Sequence, residues 1–460
     1  MPLSPNESSS ADAGGPSAAS PTRVTHDTHD WTCPFCPLLC DDLTVSAQRD
    51  GTLAVSGHDC PRLAQALATY GASDATTPAI VDGQETSLDA ALARAAAVLG
   101  AARRPLFGGL ATDVAGARAL YTLAAHCGAT LDHLHGDALT PATLAFQDRG
   151  AFFTTLSEVR ARADLIVFFA CEPSQRYPRF FTRAFGGTSM AREFVFAGCA
   201  PDPGAAGLTH TQSETLLANA DPFDTLAIWS ALVNGRRPET FPADARAAAN
   251  ALAALQARIA AARYTVFVYE PATLPHPHAA LLIEALNRIA KAANLTTRAG
   301  CLPLSGDDGA LTVNQAVTWL SGLPLRLRVS AAASQTGGAS LDYDPYRYRT
   351  ETLLAANEAD ALLWVTSFAM HALPSTLKAD VPAVVLGHPA LAEAAKARGG
   401  ATVFIPVATP GIDDTGHLFR VDSSVVMPLA AARGAALPSV HAVATQLLAK
   451  LAASADGEAS

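Results

Sequence analysis

The strongest constraint on the fold is a series of short apolar runs with no polar face. Asp164–Ala170 reads DLIVFFA, Thr265–Tyr269 reads TVFVY and Ala361–Thr366 reads ALLWVT. Glu193–Ala197, Ala383–Gly387 and Ala401–Val407 are of the same kind, and Pro105–Leu110 is a further run that ends in Gly108-Gly109. Continuous runs of this length describe strands buried on both faces, where alternation between core and solvent is lost. Ser87–Leu99 and Val114–Cys127 carry helix-type spacing. Strands alternating with helices predict parallel sheets in a doubly wound α/β arrangement. More than six such strands predict two α/β domains. The composition, 49% apolar and 16% charged, supplies the buried surface this requires. The polar-then-aromatic stretch 330–350 reads as a long loop crossing between the domains.

A net charge of −10 without a basic stripe excludes a nucleic-acid footprint, because phosphate binding needs clustered Lys and Arg. Residues 1–28 are rich in Ser, Ala, Gly and Pro, lack the apolar core of a signal peptide, and read as a disordered tail. No clean apolar run of membrane-spanning length follows. Four of the eight cysteines cluster between residues 33 and 60 and the others are scattered. That pattern predicts a reducing, cytoplasmic setting and a metal site rather than a disulfide framework.

Residues 29–75 form a small, turn-rich, Cys-rich piece with strand candidates Asp42–Ala47 and Thr52–Val55. A piece this small needs a staple. Cys33-x2-Cys36-x3-Cys40, followed by Cys60, supplies four thiolates. The three-plus-one spacing suits a 4Fe-4S cluster better than zinc, whose structural sites bring two CxxC pairs on two turns. A packed Cys-rich turn without metal is the third alternative. Pro34 and Pro37 stiffen the loop.

WTCPFCPLLCDDL (31–43) with GHDCPRL (57–63) resembles the N-terminal domain of molybdopterin oxidoreductases, and more narrowly the B subunit of formylmethanofuran dehydrogenase. ADLIVFFACEPSQRYPRFFTR (163–183), NQAVTWLSGLP (314–324) and PVATPGIDDTGHLFRVD (406–422) agree with the same family in the same order, so the resemblance spans roughly residues 29–430. It implies a small Cys-rich N-terminal domain and two doubly wound α/β domains, one split in sequence, with no C-terminal β-barrel. On this sequence the division falls at 29–75 for the Cys-rich domain, 76–140 with 325–440 for the split domain and 141–324 for the second, leaving 441–460 as a C-terminal helix and tail. It also implies A, C and D subunits as partners. In the redox members molybdenum or tungsten is held by two pterins and a Cys or selenocysteine that follows a strand and a Gly.

At the matching place this chain reads GLATDVAG (109–116), which sets Val114 where the ligand belongs. An isopropyl group has no lone pair to offer a metal. Cys127 lies at the far end of the following helix, roughly 19 Å away at 1.5 Å per residue. Asp113 is adjacent but is placed to cap that helix. Molybdopterin or tungstopterin is therefore expected to be absent. The resemblance is then greatest to the non-redox branch, the bacterial formyltransferase/hydrolase complex of one-carbon metabolism. There a formyl group passes from a pterin carrier to methylofuran and is hydrolysed to formate, with transfer on the D subunit and hydrolysis on the A subunit. The B subunit is then a scaffold with no catalytic residue of its own. The alternative is a working tungsten or molybdenum dehydrogenase component, and a more distant one is a stand-alone cluster protein for electron transfer.

Gly108 and Gly109 are candidates to cradle pterin phosphates. His417 and Arg420, in the family's closing loop, are candidates for a relict cavity. Gly198–Gly204, with Asp202, stands where relatives have a nucleotide-binding turn and equally suits an ordinary Pro-Gly turn. His371 and His388 also stand at strand ends, the face where open α/β sheets place sites. His26 and His29 read as solvated, and Cys171 and Cys199 as small buried hydrophobes.

Overall fold

The structure, a computed structural model, describes residues 24–57, 59–71, 77–330 and 340–458. Among these residues the strands form four open sheets and no barrel. The apolar runs build two of them. Thr211–Leu216, Arg192–Ala197, Leu165–Phe169, Thr265–Tyr269 and Ala299–Pro303 lie side by side in a five-stranded parallel sheet. Thr130–Leu131, Pro105–Ala111, Ala361–Thr366, Ala383–Gly387 and Thr402–Pro406 form the parallel centre of a nine-stranded sheet. The runs lack polar alternation because both faces of these sheets are covered; Ala361–Thr366, Ala383–Gly387 and Thr402–Pro406 are buried at every position.

Leu88–Ala101, Val114–Cys127, Ala310–Ser321 and Val440–Glu458 cover one face of the larger sheet, and Tyr348, Leu353, Leu354 and Trp364 pack on the other. One face of the smaller sheet packs on Pro222–Val233, Arg246–Ala261 and Ala279–Ala293. Its other face packs on Cys33, Cys36 and Cys40, so the Cys-rich segment shares a core with Phe168, Phe196 and Val268. Helix caps fall where the side-chain chemistry put them. Ser87 accepts from the Ala90 N–H, and Asp113 accepts from the Gly116 N–H at 2.9 Å.

Two expectations are corrected. The segment expected as tail to residue 28 is, from Val24, a strand: Val24–Trp31 pairs antiparallel with Leu43–Gln48, which pairs in turn with Leu53–Ser56. The partner strand satisfies the backbone, and Trp31 anchors the end, its buried indole N–H donating to the Gly411 carbonyl at 2.8 Å. Polar composition hid this strand because His29 and Asp30 stand exposed along it. Residues 1–23 lie outside the described residues. The stretch 330–350 is not wholly loop. Leu341–Tyr343 pairs with Leu327–Val329, which pairs with Thr130–Leu131, extending the larger sheet at its edge. Three-residue strands are too short to carry a readable period; residues 331–339 lie outside the described residues.

Ala79–Val81 and Gln84–Thr86 close the other edge as a hairpin, and Gly416–Phe419 pairs with Val426–Leu429. Strand ends of the two large sheets meet closely. Gly309 presses on the Thr112 carbonyl, and a Cβ at Gly309 (φ 75°) would lie 2.4 Å from that oxygen. Among the described residues no helix is long and apolar enough to cross a membrane.

Candidate functional site

Cys33, Cys36 and Cys40 are buried, Cys60 is half-buried, and none is in a disulfide. The loop closes on itself through the Cys33 N–H to the Cys40 carbonyl, 2.8 Å, and the Leu39 N–H to the Cys36 carbonyl. Cys60 arrives as the residue before the helix Pro61–Leu67. Burial pushes the Cys36 thiol up to about 12 and raises Cys33 and Cys40 as well. These thiols stay neutral until a cation ionises them.

Three guanidiniums surround the loop. Arg62 lies within electrostatic reach of Cys36 and pairs with Asp307 at 2.8 Å. Arg179 and Arg183 lie near Cys40 and hold the loop's carboxylates. Arg179 grips Asp42 through two bonds of 2.7 and 2.6 Å, and Arg183 bonds Asp41 at 2.6 Å. The Arg179 hydrogen bonds bring the Asp42 carboxyl down to about 2. Four thiols ringed by positive charge suit an anionic iron–sulfur cluster. Around one zinc, four sulfurs at 2.3 Å would lie about 3.8 Å apart. Among the described residues the sole set of three ligand atoms within 4.8 Å of one another is elsewhere, so no three of these thiols meet that spacing. The donor set fits a 4Fe-4S cluster held by Cys33, Cys36, Cys40 and Cys60, which would supply single-electron transfer when bound.

Val114, which the sequence resemblance sets at the metal-ligand position, opens its helix against Leu139, Ala310, Leu311 and Phe419. Asp113 beside it is buried, and burial raises its carboxyl. Its oxygens receive the Gly116 N–H and, at 3.4 Å, the His417 N–H. The helix-capping reading of Asp113 describes its geometry.

Gly108 and Gly109 lie in the wholly buried strand Pro105–Ala111. A Cβ at Gly109 would approach the Val365 carbonyl to 2.6 Å, and one at Gly108 would touch the Trp364 ring at 3.0 Å. Close strand packing accounts for both glycines. The His417 side chain is exposed. Arg420 is held by Asp422 at 2.7 Å, whose other bonds go to the Leu156 N–H and Ser424. Asp202 accepts from the Gly204 and Ser174 N–H groups, an internally satisfied turn. Cys171 and Cys199 are buried, and His26 is exposed.

The structure assembles a second cluster, which sequence reasoning caught only at His371. His135 follows the strand Thr130–Leu131, His371 follows Ala361–Thr366, and Asp308 follows Ala299–Pro303. Asp308 Oδ2 lies 2.9 Å from His135 Nε2 and 3.0 Å from His371 Nε2. Burial by itself would raise the Asp308 carboxyl, but the two imidazoles hold it well below the usual carboxylate range. Next to it, buried Asp307 collects Arg62, Arg176 and the Tyr177 hydroxyl. Beneath His135, buried Arg326 bonds Asp132 at 2.9 Å and Asp137 at 2.7 Å, fixing both flanks of the turn that carries the histidine.

No family model matches the chain. It is 30% identical over 295 residues to the B subunit of the formyltransferase/hydrolase complex of Methylorubrum extorquens, covering 62% of this chain and 74% of the relative. It is 24% identical over 409 residues to the B subunit of tungsten-containing formylmethanofuran dehydrogenase 2 of Methanocaldococcus jannaschii, covering 85% and 90%. Among solved structures it matches a chain of the M. extorquens formyltransferase/hydrolase complex crystallised with methylofuran. The TM-score is 0.66 at 25% identity, over 82% of this chain and 99% of that one. The chain belongs to the family of the formyltransferase/hydrolase complex B subunit, which is homologous to the B subunit of formylmethanofuran dehydrogenase.

Proposed function

We propose that this chain is the B subunit of a formyltransferase/hydrolase complex, assembled with A, C and D subunits in the cytoplasm. There it serves as a non-redox scaffold in the conversion of a formyl-pterin carrier to formate through methylofuran. The observation that carries this reading is the start of the helix Val114–Cys127. Where the redox relatives need a metal ligand, this chain places an aliphatic side chain packed into an apolar cluster, and commits the adjacent carboxylate to the helix N-terminus. The M. extorquens relative, named as a component of such a complex, supports the assignment.

We infer a Cys-rich domain at 29–75, a split α/β domain at 76–140 and 325–440, and a second at 141–324, followed by the C-terminal helix. Sheet membership supports this division, since strands from residues 79–131 and 327–406 share the larger sheet and those from 165–303 the smaller. A 4Fe-4S cluster at Cys33, Cys36, Cys40 and Cys60 acts here as a staple, having no redox centre to exchange electrons with. The intact cysteine set is what favours the alternative, a tungsten or molybdenum dehydrogenase component. The test is the purified complex: formate formed from formyl carrier without an electron acceptor is expected. Stoichiometric tungsten or molybdenum, with strict acceptor dependence, would overturn the scaffold reading.

A further inference from the structure

His135, Asp308 and His371 come from three strand ends of two different sheets, and neither the cluster cysteines nor the lost ligand position involves them. One ring nitrogen from each imidazole and one carboxylate oxygen lie within 4.8 Å of one another, the sole such triad among the described residues. The imidazole rings stand nearly perpendicular, 83° apart with centroids 5.5 Å apart, so they converge edge-on toward the carboxylate instead of stacking. Two of the three ligand residues hold left-handed backbone: His135 at φ 57° and Asp308 at φ 53°. Such a conformation is rare for residues with a Cβ and is kept where the surroundings enforce it. They do so here, because Gly306 and Gly309 flank Asp308 and Gly309 is wedged against the Thr112 carbonyl.

A triad bound only by hydrogen bonds would need both imidazoles to carry their proton on Nε2 and share one carboxylate oxygen. A cation replaces both protons with one charge. Around an ion with ligand bonds of about 2.0–2.1 Å, donor atoms lie about 3.3 Å apart in a tetrahedral shell. The observed 2.9 and 3.0 Å reach that spacing with shifts of a few tenths of an ångström. The neighbouring guanidiniums do not compete for the carboxylate, since Arg62 and Arg176 are paired with Asp307. Side-chain exposures of 32% for His135, 28% for His371 and 12% for Asp308 leave one side open to water. Two imidazoles and one carboxylate select first-row transition ions over magnesium or calcium, which take all-oxygen shells.

We propose that His135, His371 and Asp308 form a three-ligand site for a divalent transition ion of the zinc class, with a fourth position open to solvent. The ion ties the strand ends of the larger sheet, which carry both histidines, to the smaller sheet, which carries Asp308.

The test uses the assembled complex, stripped with chelator and titrated with zinc, for the unaltered chain and for Asp308→Asn, His371→Gln and Cys36→Ser. Zinc held by the other subunits is common to all four. One more zinc per copy of this chain is expected in the unaltered complex and in Cys36→Ser than in the other two. Zinc affinity at this site should fall by about 100-fold or more, since even losing a supporting contact behind a ligand costs 10–100-fold. Equal zinc in all four, or loss confined to Cys36→Ser, would overturn the site. Should the variants fail to assemble, anomalous diffraction at the zinc edge from the zinc-soaked unaltered complex decides the matter. A peak between the three side chains is expected, and none there refutes the proposal.

Discussion

Arg326 is the buried post beneath the His135 turn, and its removal has a calculable cost. The Arg326 and Asp132 side chains are 4% and 5% exposed and meet at 2.9 Å. Asp132 also accepts the Thr350 N–H at 2.7 Å and the Thr350 hydroxyl at 2.8 Å, while Arg326 donates to the Pro345 carbonyl at 2.7 Å. Breaking a buried pair from one side leaves an unpaired charge in the core and costs about 3–5 kcal/mol. Asp132→Leu should lose less, since Arg326 keeps the exposed Asp137 at 2.7 Å, and Arg326→Met about that much. In a folding unit of 150–250 residues that corresponds to a Tm lower by about 6–20 °C. The double variant orphans no buried charge, because Asp137 is exposed and keeps Arg349. It leaves the Thr350 N–H and the Pro345 carbonyl without partners, at about 1–3 kcal/mol each. Its loss should therefore fall about 2 kcal/mol or more short of the summed single losses. Burial alone would raise the Asp132 carboxyl, yet Arg326 and His133 hold it well below the usual range. A depressed acid stabilises the fold above its unfolded pKa of about 4, and that contribution is lost as pH falls through the folded value. The unaltered chain's advantage over Asp132→Asn should thus narrow below about pH 4. Calorimetry of the complex with these variants supplies the check. Additive single losses, or singles costing under about 1 kcal/mol, would refute the assignment of a buried, coupled pair.

Three further outcomes follow from the site. Cys36→Ser and Cys40→Ser should each lower iron and acid-labile sulfide per complex and abolish dithionite-bleachable visible absorption; iron content equal to the unaltered complex would contradict the four-cysteine cluster. Val114→Cys should bind neither tungsten nor molybdenum by elemental analysis, because the side chain sits among Leu139, Ala310, Leu311 and Phe419, and Tm should move by under about 4 °C. Glu270 is buried, and burial lifts its carboxyl to about 7 from an ordinary 4.5. A raised acid binds its proton more tightly when folded, so stability should decline as pH rises from about 4.5 to 7 and then level off. Glu270→Gln should flatten that decline in Tm measured against pH, and an unchanged slope would remove Glu270 as its cause.

The parallel strands were legible because burial on both faces erases polar alternation, and Ala361–Thr366 and Thr265–Tyr269 match their expected limits. The helix Val114–Cys127 was legible from its spacing and its Asp113 cap, and the structure ends it at Gly128 with φ 70°. Short edge strands were not, since Leu341–Tyr343 and Ala79–Val81 each span three residues and owe their conformation to a neighbouring strand. The cysteine set was legible by spacing, but its three guanidiniums were not. Arg179 lies 137 residues from the Asp42 it grips and meets it through packing on the smaller sheet. The histidine–aspartate triad was least visible. Its members are 63 and 173 residues apart, and two owe their aim to left-handed loop positions. The signal present was placement at strand ends, which singled out His371 and should extend to every polar residue in such loops, including HLHG at 133–136 and GDDG at 306–309.

On the proposed reading the chain keeps four cysteines while lacking the redox ligand, which is a contradiction only if the two features are built alike, and they are not. Val114 touches a small cluster of Leu139, Ala310, Leu311 and Phe419 at a helix start, where an aliphatic side chain fills the space and the helix keeps its Asp113 cap. Cys33, Cys36 and Cys40 lie inside the main core of the smaller sheet, beside Trp31, Phe168, Tyr177 and Phe196. The loop that carries them is pinned by Arg179 to Asp42, and the Val421 N–H donates to the Pro37 carbonyl. A change at Val114 therefore disturbs one helix turn. A change in the loop disturbs the packing of the sheet, the N-terminal strands and the segment around residues 411–433 that leans on Trp31 and Gly51. A scaffold that gives up electron transfer can shed its metal ligand at little structural cost, whereas its cysteine loop remains part of what holds the scaffold together.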